Sequence, residues 1–168
     1  ASSTIIIDGG AAFPEWSKEY GFTADQAAKK LKECIYCHGT LSLKYARIQN
    51  VCGTLDINTG GAINIQSVWE SKKACGTTTV ENSIITKCMA PTGSALLLGT
   101  QNQGTSQTPE NCKVTILNSE IFNCSSDGGG TVRSIGAAVA NLYLTNTVIH
   151  HNFSKSGAGL YWNAHGLA

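Results

Sequence analysis

Four segments of this chain repeat one pattern of apolar residues, and this repeat constrains the fold more than any other feature of the sequence. In each segment apolar and polar side chains alternate, and the last residue is an isoleucine. The segments are LSLKYARI (41–48), TTVENSII (78–85), VTILNSEI (114–121) and LYLTNTVI (142–149). Alternation with a period of two residues predicts strands with one buried face. The isoleucines follow one another at intervals of 37, 36 and 28 residues, which predicts stacked coils of a parallel β-helix with loops of different lengths.

An asparagine recurs three residues before the isoleucine in three of the four segments, and it predicts where each coil turns. These residues are Asn82, Asn118 and Asn146, with Tyr45 at the corresponding position of the first segment. Asparagine tolerates the left-handed backbone conformation and hydrogen-bonds to its own main chain, so it favours a turn at the end of a strand. Stacked in successive coils, such side chains can hydrogen-bond to one another as a ladder.

A strand start rich in small residues follows each isoleucine after a variable loop. The four starts are GGAINI (60–65), GSALLL (93–98), GAAVA (136–140) and GAGLYW (157–162). The stretches IQNVCGTLDINTGGAINI and IHHNFSKSGAGLYW resemble the repeats of polymorphic outer-membrane-protein-type surface proteins, which are similar to the pectin-lyase-like right-handed β-helices. The resemblance covers roughly residues 41–163. It implies an all-β fold, a short right-handed parallel β-helix of about four coils.

The chain divides into an N-terminal region, residues 1–40, and the β-helix repeats, residues 41–168. The segment TADQAAKKLKEC (23–34) predicts one amphipathic capping helix that covers the first coil, because exposed strand edges are commonly protected against uncontrolled pairing. The run STIIIDGG (3–10) predicts a strand of the first coil, with pairing to a neighbouring molecule as the alternative. No cap follows the last repeat, so we expect either that the chain continues past residue 168 or that its open end meets another subunit.

Seven cysteines in 168 residues indicate an oxidising compartment, because reducing compartments rarely keep such a set without a metal. The net charge is +1 and no basic run is present, so nucleic acid is not an expected partner. No apolar run approaches the roughly 18 residues that a transmembrane helix needs. The chain begins at Ala1, which is consistent with a removed signal peptide or with a piece cut from a longer chain. We therefore expect a secreted or cell-surface protein.

The motif formed by Cys34, Cys37 and His38 supports a second interpretation, since c-type cytochromes attach haem through two thiols in this spacing and bind its iron through the adjacent histidine. The segment DQAAKKLKECIYCHGT resembles the attachment segment of small c-type cytochromes. The sixth iron ligand would be one of Met89, His150, His151 and His165. Small c-type cytochromes bury haem among helices, however, and nothing after residue 41 reads as helical. We therefore expect no cofactor and keep covalent haem as the alternative.

Disulfides between coils explain the other cysteines. Equivalent positions on adjacent coils lie about 4.8 Å apart, within the range of about 4.4–6.8 Å between Cα atoms that a disulfide requires. The expected pairs are Cys75 with Cys112 and Cys88 with Cys124. Cys52 can close onto Cys34 or Cys37, which leaves one of the seven thiols over. Cys52 and the CxxCH motif also have the ligand types of a tetrahedral zinc site, but an oxidising compartment favours disulfides, and we expect no bound metal.

No residues of the sequence point to catalysis, and we expect that the protein is not an enzyme. Pectin-lyase-like enzymes use clustered carboxylates, but the acidic residues here share no aligned repeat position, and none form the pair that glycoside cleavage needs at about 5–10 Å. The acidic residues in or beside the repeats are Asp56, Glu70, Glu81, Glu110, Glu120 and Asp127. His150 and His151 are adjacent, so on a strand they are expected to face opposite sides and not to act on one ligand.

Three N-glycosylation signals follow the repeat isoleucines. They are NCS at Asn123, NFS at Asn152 and the rarer variant NVC at Asn50. All three are expected on one edge of the solenoid, so attached glycans would form a row, which suits a coat or a fibre.

Together these features predict an extracellular structural or adhesin-like surface protein, a fibre-forming subunit that stacks end to end through its uncapped C-terminal coil. Its expected partners are further copies of itself in a homopolymer, with glycans or a host or cell-surface partner. Two other functions stay open. One is an electron carrier with a covalent haem, and the other is a β-helix that binds or cleaves carbohydrate.

Overall fold

The computed structural model describes residues 4–10, 34–37, 39–53, 60–67, 77–100, 112–126, 128–134 and 140–162. These residues form strands joined by turns, with no helix among them, and neighbouring strands run parallel. In chain order the strands are β1 (Ile5–Asp8), β2 (Ile35–Cys37), β3 (Leu41–Lys44), β4 (Ala46–Cys52), β5 (Ile63–Ser67), β6 (Thr77–Glu81), β7 (Ile84–Ala90), β8 (Leu96–Thr100), β9 (Cys112–Leu117), β10 (Glu120–Phe122), β11 (Ser125–Ser126), β12 (Val132–Ser134), β13 (Ala140–Thr145), β14 (Val148–His150), β15 (Phe153–Ser154) and β16 (Leu160–Trp162). Since parallel neighbours cannot be joined by a tight hairpin, the chain leaves each sheet before it returns to it.

The strands form three parallel sheets, and the chain passes through them in the same order each time. Sheet 1 has the order β1-β4-β7-β10-β14, and β11 and β15 extend it beside β7. Sheet 2 has the order β2-β5-β8-β12-β16, and sheet 3 has the order β3-β6-β9-β13. We call each passage through sheets 3, 1 and 2 a coil: coil 1 is β3–β5, coil 2 is β6–β8, coil 3 is β9–β12 and coil 4 is β13–β16. The predicted all-β class is confirmed, and the arrangement is consistent with a parallel β-helix.

The register between coils aligns the repeats as the sequence predicts. The aligned rows are Ile48, Ile85, Ile121 and Ile149 in sheet 1, and Leu43, Val80, Ile116 and Leu144 in sheet 3. Ile48, Ile85 and Ile121 are at most 1 % exposed. Side chains from all three sheets therefore meet in one apolar core that runs along the stack of coils.

Residues in the left-handed conformation form two corners in sheet 1, one directly before its strands and one that bends β4 and β7 within their length and directly follows β10 and β14. The first corner consists of Tyr45, Asn82, Asn118 and Asn146, with φ between 46° and 52°. The second corner, five residues later, consists of Asn50, Lys87, Asn123 and His151, with φ between 49° and 55°. The predicted ladder is present where Asn146 Nδ2 donates a hydrogen bond to Asn118 Oδ1 at 3.1 Å. The sequence predicts the first corner but not the second, because asparagine occupies only two of the four positions there and lysine and histidine occupy the others.

The hydroxyl residue after each corner asparagine links one coil to the next. Ser83 Oγ accepts a hydrogen bond from the Ala46 N–H at 3.1 Å, and Ser119 Oγ accepts one from the Ser83 N–H at 3.1 Å. Each hydroxyl also donates to the carbonyl two residues before it, at 2.7 Å in both cases. Since both serines are buried, these bonds satisfy backbone N–H groups that the corner would otherwise leave unpaired. This pairing explains the Asn-Ser step of the repeat.

The small-residue strand starts are confirmed in coils 1, 2 and 4, where they lead into β5, β8 and β16. The prediction that GAAVA (136–140) begins the sheet 2 strand of coil 3 is wrong, because β12 pairs with β8 and β16 in that place. The small residues of coil 3 are instead Gly128, Gly129 and Gly130, which precede Thr131 and β12. Close approach of two coils explains why the residues before the sheet 2 strands are small. In coil 1, for example, a Cβ atom at Gly61 would lie 2.1 Å from the Ser94 carbonyl oxygen of coil 2.

The N-terminal run pairs within its own chain, as predicted. β1 lies in register with β4, with Ile7 opposite Ile48, and β2 pairs with β5. The capping helix predicted over 23–34 lies outside the described residues, except for Cys34, which forms a bend directly before β2. Across the described ranges, no helix has the length and apolar character to cross a membrane.

Replacing Ile85 by alanine is expected to lower the free energy of unfolding by about 2–5 kcal/mol, because the side chain is buried between Ile48 and Ile121 and its removal leaves a cavity. Chemical denaturation measures the change. The matched control is Ile5→Ala in β1, where the side chain is 63 % exposed and the expected change is within about 0.5 kcal/mol. Equal losses in the two variants would contradict the core position of Ile85.

Candidate functional site

The apolar core opens to the surface at coil 4, the last coil of the described chain. In sheet 3, Ile116 of coil 3 is fully buried, whereas its partner Leu144 in coil 4 is 40 % exposed. In sheet 2, Val132 is fully buried, whereas its partner Leu160 is 42 % exposed. Both leucines thus occupy core positions that no further coil covers within the described residues.

A depression of about 470 Å³ marks this end of the core. It is lined by Asn141, Leu142, Tyr143, Leu144, Leu160 and Trp162. We call these residues, with the outer edges of β13, β14 and β16, the C-terminal end surface. A contiguous apolar patch with a polar rim is typical of a protein interaction site.

The backbone at the C-terminal end surface also has a free edge. β13, β14 and β16 are the last strands of sheets 3, 1 and 2, and each has a neighbour on one side only among the described strands. Such an edge presents N–H and C=O groups to which another strand can pair. Apolar side chains and hydrogen-bonding backbone therefore occur together on this surface.

The opposite end of the stack, which we call the N-terminal end surface, consists of β1, β2 and β3, the first strands of the three sheets. Its partly buried apolar residues are Ile7, Ile35, Leu41 and Leu43. Asp8 ties β1 to coil 1, since its carboxylate accepts hydrogen bonds from Gln49, from the Gly10 N–H and from Asn50. These bonds lower the pKa of Asp8.

Cys88 and Cys124 lie at equivalent positions of coils 2 and 3, because the residues that follow them, in β7 and β11, pair in that register. Both side chains are fully buried; the Cys88 thiol donates to the Thr86 carbonyl at 3.3 Å and the Cys124 thiol to the Phe122 carbonyl at 3.5 Å. Burial, and after it the neighbouring Cys124 thiol, holds the pKa of Cys88 well above the ordinary value of 9.0. Both residues are thiols here, so the structure brings the predicted partners together and the disulfide between them stays a prediction.

The described part of the CxxCH motif, residues 34–37, forms the bend before β2 and β2 itself. Cys34 packs against the apolar core, and burial raises the pKa of its thiol. The Cys37 thiol instead contacts the following turn, where it donates to the Gly39 carbonyl at 3.3 Å and accepts from the Gly39 N–H at 3.4 Å. His38 lies outside the described residues, so neither the haem site nor the zinc site has a described geometry, and both stay predictions.

The other predicted disulfides also stay predictions. Cys75 lies outside the described residues, as does the side chain of Cys112, whose backbone begins β9. Cys52 is buried at the end of β4, in register with Met89 of the next coil.

The three predicted glycosylation sites differ in what their side-chain amides contact. Asn50 Nδ2 donates to the Asp8 carboxylate at 3.1 Å. Asn152 Nδ2 donates to the Ile121 carbonyl at 3.0 Å, and its Oδ1 accepts from the Cys124 N–H at 2.9 Å. A glycan on Asn50 or Asn152 would displace these bonds. Asn123, half-buried at the second corner, is the site where a sugar requires the least rearrangement.

His150 and His151 face each other, which corrects the expectation that they point to opposite sides. His151 is a second-corner residue with φ of 49°, and a left-handed residue ends the alternation of a strand. The two Nδ1 atoms lie 2.5 Å apart, with the ring planes at 82°. His150 Nε2 lies 2.8 Å from Glu120 Oε1 in coil 3. The sequence signal for this group is that His151 stands two residues after the repeat isoleucine, where Asn50, Lys87 and Asn123 stand in the other coils.

The described carboxylates of the repeats each contact a basic side chain. Glu81 forms an ion pair with Lys44 at 2.8 Å, and Glu120 contacts His150. The part of the chain that the structure describes has no group of three or more His, Cys, Asp and Glu side chains able to hold a metal ion. The other four acidic residues named in the sequence analysis lie outside the described residues, namely Asp56, Glu70, Glu110 and Asp127.

In protein isolated from an oxidising compartment, Cys88 and Cys124 are expected to form a disulfide, because they are buried side by side on adjacent coils. The loop that it closes predicts about 3–4 kcal/mol of stabilisation relative to the reduced protein. Peptide mass mapping after alkylation, with and without reduction, detects the link, and denaturation in both states gives its energy. Alkylation of both residues without prior reduction would contradict the expectation.

The reduced protein is expected to lose stability as the pH rises above about 9. The pKa of Cys88 is higher in the folded state than its ordinary value, so the unfolded chain releases this proton first and the free energy of unfolding falls with rising pH. Cys34 acts in the same direction. Denaturation at about pH 7 and about pH 10 measures the loss. A Cys88→Ala variant lacks the titrating thiol and should lose less over this interval; an equal loss would rule out Cys88 as a cause.

Comparison with known proteins gives no match: no protein-family model, no curated protein and no solved structure is significantly similar to this chain. The resemblance to polymorphic outer-membrane-protein-type repeats thus depends on the repeat motif itself. The described residues form strands in parallel sheets, an arrangement compatible with a β-helix-like fold.

Proposed function

We propose that this protein is a structural subunit of an extracellular surface and that its copies stack end to end into a fibre. The observation that carries the proposal is the C-terminal end surface, where core positions of coil 4 stay exposed. The fold in this proposal is a right-handed parallel β-helix of four coils, similar to the polymorphic outer-membrane-protein-type surface repeats.

The driving force for stacking is the burial of the exposed end of the core. Leu160 of sheet 2 leaves about two fifths of its surface to solvent, and covering apolar area contributes about 25 cal/mol per Å². Pairing of the strand edges adds direction, because backbone hydrogen bonds form only where the next strand lies parallel and in register. The end surface therefore favours a partner that brings strands as well as apolar side chains.

A second copy of the chain is such a partner, because its N-terminal end surface continues the same rows of residues. With β1 placed on β14 and β2 on β16 in the register of the coils, Ile7 follows Ile149 and Ile35 follows Leu160. Among the described strands, β1 and β2 precede coil 1 in sheets 1 and 2, whereas sheet 3 begins with β3 of coil 1, so the proposed junction runs through sheets 1 and 2. Contact between two different surfaces does not close into a two-fold dimer, and because the next copy would continue the rise of the coils along one axis, it extends into an open fibre.

The extracellular location and the adhesin-like role are supported by the seven cysteines and by the position of Asn123. Asn123 belongs to coil 3 and to a corner at the side of the stack, so a glycan there would leave the two ends free for pairing. The sides of the fibre would then present sugars and loops to a host or cell-surface partner.

The proposal predicts concentration-dependent assembly that depends on Leu160. Light scattering coupled to size-exclusion chromatography should show species larger than a monomer. Electron microscopy should show polar filaments, in which all subunits have the same orientation along the axis. Leu160→Lys places a charge at the centre of the junction and should weaken assembly about tenfold or more, at least about 1.4 kcal/mol. The measurement is the concentration at which half of the chains are assembled.

The matched control for this experiment is Ile84→Lys. Ile84 belongs to the outward row of β7, between Arg47 of coil 1 and Glu120 of coil 3, so it lies at the side of the stack away from both ends. It should therefore leave assembly unchanged, and denaturation should show that both variants fold. A wild-type chain that is monomeric at every concentration, or equal effects of the two substitutions, would refute end-to-end stacking.

A further inference from the structure

Four side chains form a group on the outer face of coils 3 and 4, at the second corner of sheet 1. They are Glu120 and Phe122 of β10, His150 of β14 and His151 of the corner. The two histidines, which we call the histidine pair, are accessible to solvent, and the His150 side chain is 32 % exposed. The group lies on the outer face of sheet 1, outside the apolar core that the proposed stacking would cover.

His150 is held in one orientation by two contacts from the preceding coil. Its ring stacks on Phe122, with the centroids 5.2 Å apart and the planes at 7°. Its Nε2 lies 2.8 Å from Glu120 Oε1. An ionised carboxylate only accepts hydrogen bonds, so Nε2 carries the proton and a neutral His150 has its lone pair on Nδ1. This lone pair is on the nitrogen nearest to His151.

His151 presents its own Nδ1 to the same point. The left-handed backbone at the corner turns its side chain back towards His150, and the two Nδ1 atoms lie 2.5 Å apart. Without a third group, one of these two nitrogens must carry a proton for the other to accept. A cation placed between them replaces this proton when His151 adopts its other neutral tautomer, with the proton on Nε2.

We infer that the histidine pair binds one divalent transition-metal ion of the zinc or nickel class through its two Nδ1 atoms, with Glu120 as the positioning residue for His150. Imidazole nitrogen suits these ions, whereas magnesium and calcium prefer oxygen ligands. A carboxylate that accepts the second ring N–H of a ligating histidine is the recurrent arrangement around such metals, because it fixes the tautomer and the ring orientation.

The distances allow such an ion with a small movement. Two Zn–N bonds of about 2.0–2.1 Å at a tetrahedral angle separate their nitrogens by about 3.3 Å. The Nδ1 atoms therefore have to separate by less than about 1 Å, which rotation of the exposed His151 side chain can supply. Two protein ligands leave the remaining positions to water or to a group from another molecule, so the ion would be exchangeable.

Titration of the protein with Zn²⁺, followed by ¹⁵N NMR of the imidazole nitrogens, tests the inference. One equivalent of Zn²⁺ should shift the Nδ1 resonances of His150 and of His151. Calorimetry should show one binding site, and His150→Ala or His151→Ala should each lower its Zn²⁺ affinity at least tenfold. Glu120→Gln keeps the size of the side chain but removes its charge, and it should weaken binding by about 10–100-fold. In the metal-free protein it should also reduce the share of His150 protonated on Nε2, which a merely structural residue would not change.

The chemically matched control is His165→Ala, which should leave this Zn²⁺ affinity unchanged. Zinc held at the CxxCH motif would survive His150→Ala and His151→Ala and would be weakened by His38→Ala, which separates it from the site in question. Denaturation midpoints equal to that of the wild type show that the variants fold. Unshifted His150 and His151 signals at saturating Zn²⁺, or a site that survives both His150→Ala and His151→Ala, would overturn the inference.

Discussion

Hydrogen bonding between neighbouring coils is the constraint on which the rest of this structure depends. In a helix the backbone is satisfied within the segment, whereas here each strand requires the coil before it and the coil after it. The buried rows of isoleucine and leucine follow from this requirement, because in-register coils place equivalent side chains directly over one another. The same requirement makes the two ends of the stack different from every other part of the surface, since only there does a coil lack a neighbour among the described residues.

The parts of the fold that the sequence predicts are those set by local chemistry. The isoleucine rows, the asparagine corner and the pairing of β1 with its own chain all follow from alternation and turn preference. The second corner has no such signal, since an asparagine, a lysine, another asparagine and a histidine adopt the same backbone there. The sheet 2 strand of coil 3 is missed for a related reason, because its small residues are glycines that also suit a turn.

The histidine pair shows how an error in backbone geometry becomes an error about chemistry. The expectation that His150 and His151 face apart is correct for a continuous strand and wrong for a strand that ends at a left-handed residue. The cysteines show a different limit. The register places Cys88 beside Cys124, but whether two adjacent thiols are joined is decided by the redox state of the compartment, which geometry does not contain.

The two left-handed corners stand five residues apart in every coil, while the segments between one sheet 1 strand and the next vary in length. The segment between the two corners therefore has a constant length that does not depend on the loops. Duplication or loss of a whole coil keeps every remaining coil in register and changes the length of the solenoid by about 4.8 Å. The length of such a solenoid can thus change in evolution through the number of its coils, while the loops diverge in sequence and length.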